Sequence, residues 1–372
     1  MTEHILLILA FFFSALLGFI FIPVILNYCK EKNLYDLPSI RKMHKNAVPR
    51  LGGISFLPSM LMAFIGTLFV FYDQAQYGQI AFSLWSIYFF ISLSIIYGIG
   101  LIDDIMGLSA RPKFIAQILA ASLMPVAGLY LNNFYGFCGI HEIPYYIGAP
   151  LTVFIIVFIT NSINLIDGID GLAAGLSLIA LSGFLVCFLN EDLWLYGILI
   201  AGLMGVLIPF IYFNMFGKCE KNRKIFMGDS GSLTLGFILG FLVVKYSMDN
   251  PNVMFWRPEC MLLSYTFIIV PVFDVVRVSA ARFFHRTPVF KADKNHIHHK
   301  LIRAGMTQHQ ALACILSLAV LFIGINIALS KFVTSTFIVA IDIIIWIMFH
   351  FVLNAVLRKN GLPVFKKEGA YE

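Results

Sequence analysis

Charged side chains are scarce in this sequence. They make up 12% of the 372 residues, whereas hydrophobic residues make up 60% and the mean hydropathy is +0.87. A soluble globular domain is closer to a quarter charged, so this composition excludes an ordinary soluble protein. The chain instead carries repeated apolar runs of about 20 residues, the length that crosses a bilayer as a helix. The alternating pattern of a transmembrane β-barrel is absent.

Other signals are missing as well. The six cysteines are scattered without C-x-x-C spacing, so neither a disulfide framework nor a zinc knuckle is indicated. The sequence has no internal repeat, no low-complexity stretch and no appended soluble segment. It therefore predicts a single polytopic membrane domain over residues 1–372.

Hydropathy predicts an all-α bundle of about eleven transmembrane helices. The predicted spans are residues 5–26, 51–72, 81–102, 114–131, 148–166, 172–189, 194–215, 231–248, 259–283, 310–329 and 335–357. With the N-terminus outside and the C-terminus cytoplasmic, every Lys and Arg falls inside except Lys245, Arg257 and Lys331. This asymmetry accounts for the net charge of +6, so no nucleic-acid partner is expected.

The stretch 161–171, Asn-Ser-Ile-Asn-Leu-Ile-Asp-Gly-Ile-Asp-Gly, closes one apolar run. Its candidate site residues are Asn161, Asn164, Asp167 and Asp170. Carboxylates near lipid cost roughly 2.5–3.5 kcal/mol each at mid-bilayer, so a cluster of them needs a compensating partner such as a cation. Gly168 and Gly171 predict a helix break that turns Asp170 back towards the other polar groups. Polar helix–helix contact is the alternative.

Asp103 and Asp104 close another apolar run, and Lys113 follows in the same short loop. Gly107 is expected to end the first helix, and Pro112 suits the first turn of the next one. The three side chains could hold a phosphate together with a proton acceptor. A solvated loop with a neutralising lysine is the alternative.

The segment 226–232, Phe-Met-Gly-Asp-Ser-Gly-Ser, precedes a further span. Asp229 lies where a carboxylate favours the helix dipole, and Ser230 or Ser232 could cap the helix. Phe226 could pack in the core or form a stacking surface for a base. The glycines of this segment could also let backbone N–H groups at the helix N-terminus approach an anion.

His296, His298 and His299 lie in a basic loop after Lys294. Three imidazoles in four residues are typical of a metal site, but the acidic groups elsewhere favour Mg²⁺, which prefers oxygen ligands. The histidines therefore fit phosphate contacts or proton transfer better. Asp274 and Arg277, three residues apart, are expected to pair.

Two further cations, Lys45 and Arg50, lie just before the predicted span 51–72. They could bind diphosphate, or they could be ordinary membrane-flanking cations without a function. With the topology above, all the acidic motifs and the histidines share the cytoplasmic face. An ion-coupled transporter would also carry membrane carboxylates and broken helices, but its site usually lies near the midplane between repeats.

The motifs together resemble the polyprenyl-phosphate N-acetylhexosamine-1-phosphate transferases, which form glycosyltransferase family 4. The resemblance runs from Pro49-Arg-Leu-Gly-Gly53 through Asp103-Asp104, 161–171 and 226–232 to His296-Ile-His-His299. Pro49-Arg50 and Ile297 are similar to the WecA/TagO-like branch, which uses UDP-GlcNAc and undecaprenyl phosphate. They depart from the relatives that transfer phospho-MurNAc-pentapeptide, which usually have Thr-Pro-Thr and three consecutive histidines.

The resemblance implies a phosphotransferase of the bacterial inner membrane with a cytoplasmic active site, often a homodimer, acting early in cell-envelope glycan synthesis. It implies Mg²⁺, for which Mn²⁺ can substitute, held by Asp229 and Asn164. It implies catalytic roles for Asp103, Asp104, Asp167, Asp170, His296, His298 and His299. It implies substrate contacts by Lys113, Lys45, Arg50, Asn161 and Phe226. Another UDP-N-acetylhexosamine or UDP-MurNAc-pentapeptide remains an alternative donor.

Overall fold

A computed structural model describes residues 2–32, 34–36, 48–72, 84–218, 223–250, 254, 256–287 and 294–365, and these residues are mostly helical. The α-helices are α1 (Thr2–Lys32), α2 (Phe56–Tyr72), α3 (Leu84–Met106), α4 (Ala110–Val126), α5 (Tyr145–Ile166), α6 (Leu172–Asn190), α7 (Trp194–Ile211), α8 (Gly228–Ser247), α9 (Cys260–Phe267), α10 (Ile269–Phe284), α11 (Ile297–Arg303), α12 (Gln308–Leu329) and α13 (Ser335–Lys359). The prediction of an all-α polytopic bundle is confirmed.

Short non-α elements complete the described chain. Strand β1 (Tyr35–Asp36) pairs antiparallel with β2 (Val48–Pro49), which hydropathy did not predict. Two 3₁₀ turns cover Gly52–Ser55 and Phe137–Gly139, and a π-helical turn at Tyr212–Phe216 extends α7.

Nine helices in the described ranges are long and apolar enough to cross a membrane, and the α9–α10 pair would make a tenth. The remaining predicted span, 114–131, corresponds to α4, whose 17 residues are at the short limit for crossing a bilayer. Each predicted span therefore has a helical counterpart. The orientation of the termini and the single domain over 1–372 stay predictions.

The predicted continuous span 259–283 is wrong, because α9 and α10 meet at an angle of 70°. Pro271 explains the break. A proline ring clashes with the carbonyl of the residue four positions earlier, which here is Phe267, the last residue of α9. The chain consequently turns at Ile268 and continues as the separate helix α10.

Helix α8 forms the centre of the bundle, with buried residues from Ser230 to Ser247. It packs against α5 and α3. A Cβ atom built on Gly236 would lie 2.6 Å from the Cα of Thr160, so glycine is needed for this close approach to α5. Because α8 is held so closely, the position of its first turn is fixed relative to the ends of α3 and α5.

Candidate active site

The Asp104 carboxylate caps helix α8. One oxygen accepts a hydrogen bond from the backbone N–H of Asp229 at 2.7 Å, and the other accepts from the N–H of Ser230 at 2.9 Å. These N–H groups have no partner within their own helix, and a negative charge there favours the helix dipole. Neither Ser230 nor Ser232 provides a side-chain N-cap, so that prediction is wrong. Asp104 thus joins the end of α3 to the start of α8.

Lys113 bridges two carboxylates near this junction. Its Nζ lies 3.2 Å from Asp103 Oδ2 and 2.6 Å from Asp229 Oδ2. Helix α3 ends before Gly107, whose φ of +70° allows the turn that brings α4 back, as the sequence predicted. Asp103 also accepts a hydrogen bond from the backbone N–H of Leu108 at 2.5 Å. The consecutive helices α3 and α4 and the distant helix α8 therefore meet around one ammonium group.

Asn164 contributes an amide to the same cluster. Its Nδ2 donates to Asp229 Oδ1 at 3.2 Å and to Ser232 Oγ at 2.8 Å. Single carboxylate oxygens of Asp103, Asp104 and Asp229 lie within 4.8 Å of one another. Carboxylate and amide oxygens at this spacing match the ligands of a hard divalent cation, so the donor set fits Mg²⁺.

The break between α5 and α6 is present as predicted. Helix α5 ends at Ile166, and Gly171 has a φ of +77° immediately before α6. Asn214, which the sequence analysis did not select, accepts from the Gly171 N–H at 2.7 Å and donates to the Ile225 carbonyl at 2.8 Å. This amide fixes the loop that carries Asp167 and Asp170.

The two carboxylates of this loop differ in their surroundings. Burial, followed by the nearby charges of Asp229, Asp170 and Asp104, raises the pKa of Asp167 to about 7. Asp170 is instead paired with Lys224 at 2.5 Å. Asp167 therefore lies in a crowded negative environment that a cation would relieve, whereas Asp170 is already neutralised.

The described hydrogen bonds of Asn161 go to α4 and to its own helix, not to the carboxylates. Its Nδ2 donates to Gln117 Oε1 at 2.5 Å and to the Val157 carbonyl at 2.8 Å. The described contacts of Asn161 join α5 to α4, and its role in substrate binding stays a prediction.

Backbone pairing brings the segment after β2 to the start of α8. The Phe226 N–H donates to the Pro49 carbonyl at 2.7 Å, and the Gly52 N–H donates to the Phe226 carbonyl at 2.9 Å. Arg50 Nε donates to the Asp104 carbonyl at 3.1 Å. Arg50 and half-buried Phe226 thus lie beside the carboxylate cluster. Lys45 lies outside the described residues.

His298 joins the histidine segment to the acidic loop. A Cβ on Gly168 would overlap the Nε2 of His298, so the ring packs directly against that glycine. Burial, with the neighbouring His299 and His296, lowers the pKa of His298 well below its usual range. The ring is therefore neutral at physiological pH. The His299 ring lies next to it, with centroids 4.2 Å apart.

His296 is held by a carboxylate that sequence reasoning treated only as a partner of Arg277. Asp274 Oδ2 lies 2.8 Å from His296 Nδ1, while Oδ1 accepts from the Ile297 N–H at 3.0 Å and from Arg277 at 2.7 Å. The expected Asp274–Arg277 pair is present. The sequence signal for the contact of Asp274 with His296 was an aspartate inside an apolar run. That contact depends on the bend before α10.

Comparison with known proteins agrees with this architecture. Residues 85–247 match the model of the family described as glycosyl transferase family 4. The chain is 29% identical over 364 residues to a probable undecaprenyl-phosphate N-acetylglucosaminyl 1-phosphate transferase of Bacillus subtilis, covering 96% of this chain and 92% of the relative. It is 29% identical to the undecaprenyl-phosphate alpha-N-acetylglucosaminyl 1-phosphate transferase of Escherichia coli K12, covering 80% and 77%. It is 27% identical to the Yersinia pestis enzyme of the same name, covering 79% and 76%.

The bundle and its relatives define the protein as a multi-pass membrane enzyme of the phosphotransferase class. The matched family model and these relatives support the resemblance to glycosyl transferase family 4 that the motifs predicted. The transporter alternative finds no support among these relatives.

Proposed function

We propose that the protein transfers GlcNAc-1-phosphate from UDP-GlcNAc to undecaprenyl phosphate, with Mg²⁺, and releases UMP. The observation that carries this proposal is the junction at Asp229. There a lysine, an amide and two further carboxylates from α3, α4 and α5 surround the first turn of α8. The relatives are named as undecaprenyl-phosphate N-acetylglucosaminyl 1-phosphate transferases, which supports these substrates.

The proposed reaction is a displacement at phosphorus. An oxygen of the acceptor phosphate forms a bond to the β-phosphorus of UDP-GlcNAc. The bond from that phosphorus to the oxygen bridging the two phosphates breaks, and UMP leaves with the bond electrons. The lipid product is undecaprenyl-diphospho-GlcNAc. Both reactants are anionic, so charge neutralisation and positioning must provide most of the rate acceleration.

Asp229 and Asn164 are the residues proposed to hold the ion, with Asp103 at the rim of the same cluster. Bound there, Mg²⁺ would neutralise the diphosphate and act as a Lewis acid at phosphorus. Rotation of the Asn164 amide by half a turn would present Oδ1 where Nδ2 now meets Asp229. Crowding of Asp167 by three other carboxylates supports a cation at this position.

Lys113 is proposed to bind the acceptor phosphate. Its ammonium now lies between Asp103 and Asp229, so it can exchange a carboxylate partner for a phosphate oxygen without leaving the site. Asp103 is the proposed proton acceptor, because both Asp104 oxygens are already engaged by backbone N–H groups. A phosphate monoester is largely dianionic at pH 7, so this proton transfer contributes little to the rate acceleration.

The remaining predicted residues are proposed to bind the donor. His298 lies against the acidic loop as a neutral ring, able to donate or accept a hydrogen bond at phosphate or sugar. Phe226 and Arg50 line the approach from the β2 side. The distribution of Lys and Arg supports a cytoplasmic active site and an outside N-terminus in the bacterial inner membrane.

The test is a product assay with purified protein in detergent. It supplies undecaprenyl phosphate and one UDP-sugar at a time from UDP-GlcNAc, UDP-GalNAc and UDP-MurNAc-pentapeptide. We expect UMP release and a lipid whose mass matches undecaprenyl-diphospho-GlcNAc only with UDP-GlcNAc. If another UDP-sugar is preferred, the proposed reaction class stands and the proposed donor is wrong. No lipid-linked product with any of the three would contradict the proposal.

A further inference from the structure

Asp274 is the most completely engaged carboxylate in the described chain outside the α3–α8 junction. It is fully buried in α10, yet its two oxygens accept from a histidine ring, a backbone N–H and an arginine. Arg277 also donates to the Asn295 carbonyl at 2.6 Å, next to His296. A buried carboxylate is costly unless it is paired and hydrogen-bonded, and this one is satisfied by the histidine segment itself.

This contact fixes which nitrogen of His296 carries a proton. A carboxylate with an arginine and an N–H as partners can only accept, so the ring nitrogen facing it, Nδ1, must be the donor. The other nitrogen, Nε2, makes no hydrogen bond within the part of the chain that the structure describes. It is therefore the nitrogen left to meet a ligand, as a base when the ring is neutral and as a donor when it is charged.

The ring is placed at the rim of the proposed active site. The rings of His296 and His298 lie almost parallel, at 7°, with centroids 6.0 Å apart. His298 in turn packs against Gly168, in the loop of Asp167 and Asp170. His296 is itself buried, so its orientation is set by neighbours rather than by solvent.

We infer that Asp274 is a positioning residue for the transfer reaction: it holds His296 so that Nε2 faces the phosphates of the bound substrates. Asp274 lies one layer behind the substrates and acts through the imidazole. Its bond to the Ile297 N–H also fixes the start of α11, which carries His298 and His299 and directly follows His296. This inference rests on the proposed function.

The test is a double-mutant cycle on turnover. Asp274→Asn is nearly isosteric and keeps one oxygen for the Ile297 N–H or Arg277, but its Nδ2 would face His296 and favour the opposite tautomer. His296→Asn keeps an amide that can reach Asp274 and lacks Nε2. We expect each single variant to lower kcat/KM about 10- to 100-fold, the range for residues that orient a functional group. The double variant should lie within about twofold of His296→Asn alone, because the two act as one unit.

A purely structural Asp274 would behave differently. The losses would then multiply in the double variant, and that result would overturn the inference. Asp342→Asn is the matched control, since Asp342 of α13 is another fully buried aspartate, and its hydrogen-bond donor is Asn326 of α12. It should retain the turnover of the parent protein.

Two further measurements keep the result unambiguous. Thermal unfolding in detergent should show Asp274→Asn folded. If it is not, Asp274→Glu, which keeps the negative charge, takes its place in the same cycle with the same expectation of non-additivity. If the parent protein is active and the losses of the two single variants multiply in the double variant, this inference alone is contradicted. If the parent protein shows no turnover, the proposed function is contradicted.

Discussion

Asp104 and Asp229 are separated by 125 residues, yet the carboxylate of the first receives the backbone N–H of the second at 2.7 Å. This contact makes the end of α3 and the start of α8 one structural unit. It also divides the acidic pair 103–104 into two roles. Asp104 holds the helix that carries Asp229, whereas Asp103 faces Lys113.

The first prediction separates these two roles. Asp104→Ala should lower the free energy of unfolding by about 0.5–2 kcal/mol, the usual cost of removing a helix N-cap. Asp103→Asn should leave that free energy nearly unchanged and lower turnover instead. The measurement is unfolding in detergent alongside product formation for both variants. Equal destabilisation by the two substitutions would refute this division.

The second prediction concerns Lys113. Lys113→Gln removes the cation between Asp103 and Asp229 and leaves their charges uncompensated. Divalent ions should then bind at least as tightly, while turnover falls and the KM for undecaprenyl phosphate rises, because the acceptor loses its cation. Mn²⁺ binding followed by electron paramagnetic resonance, together with steady-state kinetics, checks both parts.

Lys331→Gln is the control, because this lysine is exposed between α12 and α13 and has no place in the cluster. Weaker Mn²⁺ binding by Lys113→Gln would mean that the lysine supports the ion rather than competing with it.

The third prediction is a dependence of stability on pH through His298. Burial lowers the pKa of His298 in the folded protein, whereas the unfolded chain keeps a value of about 6.5. Below that pH the unfolded state binds the extra proton and the folded state does not, so stability falls as pH drops from about 7 to 5. Asp167 acts in the opposite direction, because its raised pKa lets the folded state take up a proton as pH falls below about 7.

Comparison of two variants separates the contribution of His298 to this pH dependence from that of other groups. His298→Gln should flatten the acid decline of the unfolding temperature, and His141→Gln, at an exposed histidine, should leave it unchanged. An identical decline in His298→Gln and the parent protein would exclude this origin.

The fourth prediction concerns orientation. Single cysteines replacing Met306 and Lys331, introduced after removal of the six native cysteines, lie in the loops before and after α12. The distribution of positive charge predicts that the first is labelled only from the cytoplasmic side and the second only from outside. An impermeant thiol reagent applied to sealed membrane vesicles of each orientation tests this. Reversed labelling would put the carboxylate cluster on the wrong side for a cytoplasmic nucleotide donor.

Local signals were sufficient for much of the fold. Apolar runs located the helices, Gly107 and Gly171 marked the ends of helices next to the carboxylates, and the spacing of the polar residues located the motifs. Pro271 already contained the signal for the bend before α10, but a long apolar run concealed it. The sequence could therefore predict which residues gather at one end of the bundle.

Roles that depend on long-range contacts could not be predicted. The contact of Asp104 with α8 depends on how closely α3 approaches α8, and neither segment alone encodes that distance. Asp274 lies 22 residues from His296 and reaches it only because α10 turns away from α9. Asn161 has the helical spacing of a site residue, yet it turns towards Gln117 on α4.

Turnover of Asp229→Asn, measured with and without a metal chelator, tests the central claim most directly. The protein is expected to convert UDP-GlcNAc and undecaprenyl phosphate into UMP and a lipid-linked sugar only while Mg²⁺ or Mn²⁺ is present. Asp229→Asn should insert and fold but lose about 100-fold or more of this activity, and Asp249→Asn, at the other end of α8, should keep it. Full activity of Asp229→Asn, or of the parent protein in excess chelator, would contradict a divalent metal site built on Asp229.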